Sequence, residues 1–270
     1  RSLYTRMRQK SVDLRKIVST HLERSSKKLD LQLKQLKDTE KRDKFKVYGE
    51  LLNTYGYQVT EGAKSVEVPN YYTGEMLTIP LDETLSPLDN AKNKFARYNK
   101  LKRTFEALNT QTEETRTEIA HLQTIHAALA IAESEDDLAQ IRDELETYGY
   151  IRRKMNGKKK QKSKSKPFHY RSSDGFDIYV GKNNFQNDEL TFKVANGNDW
   201  WFHAKGMPGS HVIVKTEGRE LPDRTFEEAG RLAGYYSSGR DNEKIEIDYL
   251  QRNDVKKPNC AVAGYVSYYT

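Results

Sequence analysis

The sequence has one cysteine, Cys260, among 270 residues, which excludes an internal disulfide framework and any Cys-rich zinc site. Proline is scarce too, with seven in all, so long uninterrupted helices are permitted. No apolar run approaches the roughly 18 residues of a membrane-spanning helix, and no signal-peptide pattern opens the chain. It begins RSLYTRMRQKS without methionine, as expected of a piece of something longer. Apolar residues make up only 36% and charged residues 31%, with a mean hydropathy of −0.91. One large buried core would need more apolar residues, so narrow helical seams plus one modest globular unit fit better.

What is abundant is charge, unevenly placed. The net charge is +7, yet residues 151–166 alone hold nine Lys or Arg and no acid. Residues 1–50 carry 15 basic and 7 acidic side chains, while residues 51–150 carry 9 and 17. Two segments of opposite sign read as partners for each other.

Helical spacing supports that pairing. Leu3, Met7, Leu14, Val18, Leu22, Leu29, Leu33 and Leu36 recur at steps of three, four and seven, followed by Val47 and Leu51. A second stripe follows Ser86-Pro87 and runs from Phe95 through Leu108, Ile119, Leu129 and Ile141 to Tyr148, where Gly149 can end it. Antiparallel pairing puts the basic start of the chain beside Glu133, Glu135, Asp136 and Asp137. It also crowds Lys41, Arg42, Lys44 and Lys46 against Lys92, Lys94, Arg97, Lys100, Lys102 and Arg103. Such crowding adds nothing to intramolecular stability, so the far end reads as a docking surface for a polyanion. Between the arms, Ser65–Val68 and Met76–Ile79 alternate around a turn at Asn70–Gly74, which predicts a hairpin. Tyr55, Tyr57, Tyr71 and Tyr72 are expected in the core of this small tip, although bases could stack on them.

After the basic segment the pattern changes to short strands and turns. Strands are expected at 168–171, 176–180, 199–205, 211–215, 244–250 and 261–269, with helices over 184–195 and 225–236. The fold class is thus α+β in several parts. A long antiparallel two-helix coiled coil with a β-hairpin tip precedes a small α+β domain whose helices lie on one side of the sheet. The expected boundaries are 1–54 for the first arm, 55–86 for the tip, 87–150 for the second arm, 151–166 for a basic linker and 167–270 for the last domain.

The densest chemistry is Asp199–Lys205 followed by Pro208–His211. On a strand, Trp201, His203 and Lys205 share a face, offering a ring, an imidazole and a cation suited to a base and a phosphate. Ser210 and His211 extend that candidate. The competing structural reading has Trp201 covered by a helix and His203 held by hydrogen bonds. No acid or cysteine at ligand spacing completes a metal site, and Ser210 beside His211 cannot form a triad by adjacency. No glycine-rich phosphate loop occurs. The expectation is a binding protein without a cofactor or catalytic set.

These residues carry a resemblance. Val180-Gly181-Lys182-Asn183-Asn184, Gln186-Asn187-Asp188, Asp199-Trp200-Trp201-Phe202-His203-Ala204-Lys205 and Pro208–Val212 together resemble the NFACT-R domain, and residues 1–150 are similar to the coiled-coil middle part of the NFACT family. The resemblance adds Lys182, Asn183 and Asn184 to the candidate nucleic-acid-binding residues. It implies a fibronectin-binding-protein-A-like, RqcH-type ribosome quality-control factor in the cytoplasm, whose partners are the large ribosomal subunit and tRNA. It further implies support for C-terminal alanine tailing of stalled nascent chains, catalysed by the ribosome itself. The family's N-terminal domain, with its main tRNA-recognising motif, is expected to be absent. The alternative it implies is an anchorless surface adhesin binding fibronectin.

Overall fold

The computed structural model describes residues 2–153 and 163–269, so most of the expected basic linker lies outside the described residues. The chain divides into two compact units, residues 26–117 and the remainder.

The larger unit takes the first part of α1 (Leu3–Asp38), the last part of α3 (Pro87–Ile131), and α4 (Glu135–Thr147). Leu14 and Val18 of α1, Ile125 and Leu129 of α3, and Leu138, Ile141 and Leu145 of α4 form one buried cluster. The expected second arm is therefore interrupted. Ser134 is an extended N-cap whose hydroxyl accepts from Asp137 N at 3.1 Å, while the Asp137 carboxylate accepts from Glu133 N at 2.9 Å. This reciprocal cap restarts the helix in a new direction. Arg6 and Lys10 meet Glu135 at 3.5 and 3.2 Å, exposed pairs that contribute little.

The same unit carries a five-stranded antiparallel sheet, ordered β3 (Phe168–Arg171), β4 (Asp177–Val180), β6 (Val212–Lys215), β5 (Trp200–Ala204) and β7 (Ile247–Gln251). Alternation along the strands sorts two apolar faces. Ile178, Val180, Phe202, Val212 and Val214 pack under α6 (Asp223–Tyr235), which contributes Ala229 and Ala233. The opposite face buries Trp201 and Ile213 against Leu190 and Val255, with Phe192, Val266 and Tyr268 partly buried around them. Leu190 and Phe192 sit in a π-helical turn, Leu190–Val194, that follows α5 (Asn184–Glu189). Both faces are thus covered, which corrects the expectation of helices on one side. The expected final strand over 261–269 is corrected as well: only a single bridge joins Ser267 to Lys256. Pro258, and Cys260 and Gly264 at positive φ, break that stretch into turns.

The smaller unit holds the rest of α1 and α3, with α2 (Arg42–Tyr55) and a hairpin of β1 (Ser65–Pro69) and β2 (Met76–Pro80). α1 passes to α2 through one tight turn, Thr39–Lys41. Here Gln32 bonds Thr115, Arg42 lies over Phe105, and Lys46 lies over Tyr98, so position falls on α3 as it rises on α1 and α2. The pairing is antiparallel. Gly49 permits it, because a Cβ there would stand 2.7 Å from the Phe95 ring. Val68 and Ile79 of the hairpin bury against Leu51 and Leu52 of α2.

Candidate nucleic-acid interface

The residues expected to present one binding face on β5 divide between inside and outside. Trp201 is 0% exposed, with its ring stacked on His203 and edge-on to His211 at 5.6 and 5.3 Å between centroids. It cannot stack on a base, because α5, the π turn and the C-terminal segment already cover its face of the sheet. His211 is buried, and its Nε2–H donates to the Gly264 carbonyl at 3.1 Å while Nδ1 accepts from the Thr191 hydroxyl at 2.7 Å. Those partners fix one neutral tautomer. Burial holds His211 well below the usual imidazole range, reinforced by nearby His203. Burial also lowers His203, partly offset by its hydrogen bond with the Gly209 backbone and by Asp248. Ser210 is buried, its N–H given to the Tyr236 carbonyl at 2.9 Å. Lys205 alone of this group stands exposed, 3.9 Å from Glu246.

Lowered imidazoles have a consequence for stability. As pH falls through the ordinary imidazole range, about 6.5, the unfolded chain binds protons at His203 and His211 that the folded chain refuses, so folding stability must fall as pH falls. Urea unfolding at pH 7 and pH 5 is expected to show that loss, and a His211→Gln variant a shallower dependence.

Lys182, Asn183 and Asn184 are also turned inward, toward α3 and α4. The Lys182 ammonium meets the Asp137 carboxylate at 3.1 Å. Asn183 Nδ2 donates to Gln140 Oε1 at 2.7 Å, the oxygen that Gln186 Nε2 also reaches. Asn183 Oδ1 meanwhile accepts from Gln186 N and caps α5. Asn184 Nδ2 donates to Thr124 Oγ1 and Glu144 Oε2, both at 2.8 Å. The buried Glu144 Oε2 takes a second bond from His121 Nε2 at 2.8 Å. Gly264 completes the seam: it sits at φ +81°, and a Cβ there would lie 2.3 Å from Asn184 Oδ1. The Lys-Asn-Asn run therefore clamps the sheet to the helices, and its expected nucleic-acid contacts are corrected to internal ones. Asn184→Ala removes a bond to a buried carboxylate and is expected to cost about 1–3 kcal/mol, read as a lowered urea midpoint.

The remaining candidates stand in the other unit. Lys92, Arg97 and Lys100 on α3 are exposed and Lys94 is half-buried. The Lys94 and Lys44 ammonium groups lie 5.6 and 5.9 Å from the Tyr48 ring centre, and Arg97 lies 5.5 Å from that of Phe45. Burial and the neighbouring Lys44 both lower Lys94. None of Lys44, Lys46, Lys92, Lys94, Arg97 and Lys100 forms an ion pair among the described residues. Rings hold Lys44, Lys46, Lys94 and Arg97 from below, and none of the six is paired with a carboxylate among the described residues.

Comparison with known proteins fits this division. The family model of the NFACT N-terminal and middle domains matches residues 2–164, and that of the NFACT protein RNA binding domain matches residues 166–268. The chain belongs to the NFACT family. It is 39% identical over 264 residues to the Rqc2 homolog RqcH of Streptococcus suis and 36% identical over 267 residues to that of Bacillus subtilis. These alignments cover 97% of this chain but 47% and 46% of the relatives, so the chain spans about half their length. A solved structure of the C-terminal of the fibronectin/fibrinogen-binding protein from Streptococcus suis is 32% identical with a TM-score of 0.74, covering 98% of this chain and 92% of that one. In this NFACT chain the buried acceptors Asp137 and Glu144, with half-buried Gln140 between them, are what sequence reading missed. Their i, i+3, i+7 spacing on one helix face was the available signal, and in the sequence it merges with an acidic, solvated-looking stretch.

Proposed function

We propose that this chain contributes the middle and RNA-binding parts of a ribosome quality-control factor. The observation that carries the reading is the row of cations at Lys44, Lys46, Lys92, Lys94, Arg97 and Lys100, unneutralised among the described residues, in a chain whose last hundred residues match an RNA-binding domain. Cations held by rings remain available to phosphates, and like charges kept close together favour a polyanionic partner. The partner we infer is ribosomal RNA of the large subunit, with tRNA as a second ligand and the cytoplasm as the compartment. The helices are read as a two-helix coiled coil, supported by the seven-residue spacing of Leu22, Leu29 and Leu36.

In this reading the chain binds and positions, and it is not an enzyme. Alanine tailing of an obstructed nascent chain would be joined by the ribosome's peptidyl-transferase centre, with this factor holding the tRNA and the subunit. Exposed Lys205, Arg152, Arg153, Lys164 and Lys166 add charge on the sheet-bearing unit. No helix among the described residues is long and apolar enough to cross a membrane.

Co-sedimentation of the chain with purified large subunits across a salt series tests this. Binding that weakens steeply and linearly on a log–log salt plot is expected. Salt-insensitive capture of fibronectin with no subunit or tRNA binding would favour the adhesin reading, which the name of the solved relative raises.

A further inference from the structure

Of the tip tyrosines expected in the core, Tyr55 packs partly buried against it, while Tyr57, Tyr71 and Tyr72 stand exposed. Tyr71 is 52% exposed and Tyr72 is 61% exposed, with Met76 beside them on the hairpin also exposed. The core is made instead by Tyr48, Leu51, Leu52, Val68 and Ile79, so the outer face of the hairpin buries nothing. Two large rings left in water at a turn gain no hydrophobic stabilisation there.

The turn nevertheless holds them firmly. Asn70 Oδ1 accepts from Tyr72 N at 3.0 Å, Asn70 N donates to the Glu75 carbonyl at 2.8 Å, and Gly74 N returns to the Asn70 carbonyl at 2.8 Å. The Tyr72 hydroxyl donates to the Glu50 carboxylate on α2, and that bond raises its pKa to about 12. The Tyr71 and Tyr72 ring centres lie 4.8 Å apart at a 48° tilt. The rings are thus fixed before any partner arrives, and ordering them costs little on binding. Glu50 stands one helical turn from Lys46 on α2, and Lys46 reaches over Tyr98 toward the α3 cations. Fixed aromatic faces and the Lys46 cation therefore stand close together in a single unit.

We propose that Tyr71 and Tyr72 form a stacking platform for unpaired RNA bases whose nearest phosphate is taken by Lys46, one helical turn from the Glu50 that Tyr72 bonds. The juxtaposition selects single-stranded nucleotides over duplex, because a paired base has no free face to offer a side chain. Charge complementarity favours RNA over an apolar protein partner, which would leave the Lys46 cation desolvated and unpaired. Two carboxylates lie at the platform: the Tyr72 hydroxyl occupies that of Glu50, and exposed Glu75 closes the same turn. The inference deepens the ribosomal reading above and rests on it: the contact made by this tip would be a loop or bulge, not a helix.

The test uses the whole 270-residue chain and two probes of equal length, a single-stranded RNA oligonucleotide and its duplex. The chain is expected to bind the single strand more tightly. Tyr71→Ala with Tyr72→Ala should weaken that binding about 10-fold or more with an unchanged salt slope, while Tyr71→Phe with Tyr72→Phe retains most of it. Ultraviolet crosslinking of the unaltered chain to the single strand should map to Tyr71 or Tyr72, a readout independent of any variant's folding. Equal affinity of the alanine variant and the unaltered chain, equal loss on both probes, or crosslinks confined to other residues would each overturn the platform. Should co-sedimentation with large subunits stay salt-dependent in that event, the platform alone has failed and the ribosomal reading stands.

Discussion

Trp201→Ala should destabilise the sheet-bearing unit by about 3–5 kcal/mol, a large part of the roughly 5–15 kcal/mol available to a folded domain. The side chain is wholly buried between the sheet and the segments that cover it, touching His203, His211 and Tyr268. Truncation leaves a cavity between layers that cannot collapse, because β5 is paired on both edges with β6 and β7. Its indole Nε1–H has no partner among the described residues, so the ring's value lies in packing and not in that hydrogen. Trp201→Phe should accordingly cost much less than Trp201→Ala. Urea unfolding followed by circular dichroism reads both variants, with the midpoint falling for alanine and the slope unchanged. A binding role would show the opposite pattern: an unmoved midpoint and a lost affinity for RNA. That result would restore the stacking face that the burial of Trp201 removes.

Reversing three charges on α3 should have the largest effect on binding. Lys94→Glu, Arg97→Glu and Lys100→Glu together are expected to weaken large-subunit binding about 100-fold or more near 0.1 M salt, and to lower the log–log salt slope by about 2–3. The slope follows from three phosphate contacts, each releasing somewhat less than one counterion. Stability is expected to move the other way. Lys94 stands near Lys44 above one ring, and their repulsion is relieved when one sign is reversed. The thermal midpoint of the triple variant should thus stay level or rise while binding collapses. A surface kept for folding would lose both together. Unchanged sedimentation would remove the basis of the ribosomal proposal.

Large parts of the architecture could be read from order alone. The apolar steps from Leu3 to Leu51 and from Phe95 to Tyr148 mark helices because a helix repeats its face every three to four residues. The hairpin over Ser65–Pro80 announces itself by alternation around Asn70–Gly74. Two signals were present and weak. Ser134 three residues before Asp137 is a capping pair, yet the apolar stripe runs through it, so the break after Ile131 is hidden by periodicity. The stretch 261–269 alternates like a strand, and its turns come from Cys260 and Gly264 at positive φ, which no pattern reveals.

By itself the sequence determined the local periods, the two signs of charge and the family, since each is a matter of which residues follow which. Tertiary structure decided what every candidate side chain faces. Lys182, Asn183 and Asn184 carry polar groups that suit RNA as well as they suit Asp137, Gln140 and Glu144, and only the docking of the sheet on the helices chooses. Trp201 and Tyr72 are both aromatic residues in β-rich segments, one enclosed and one open. Burial is a property of what packs on top, and residues distant in the chain supply it.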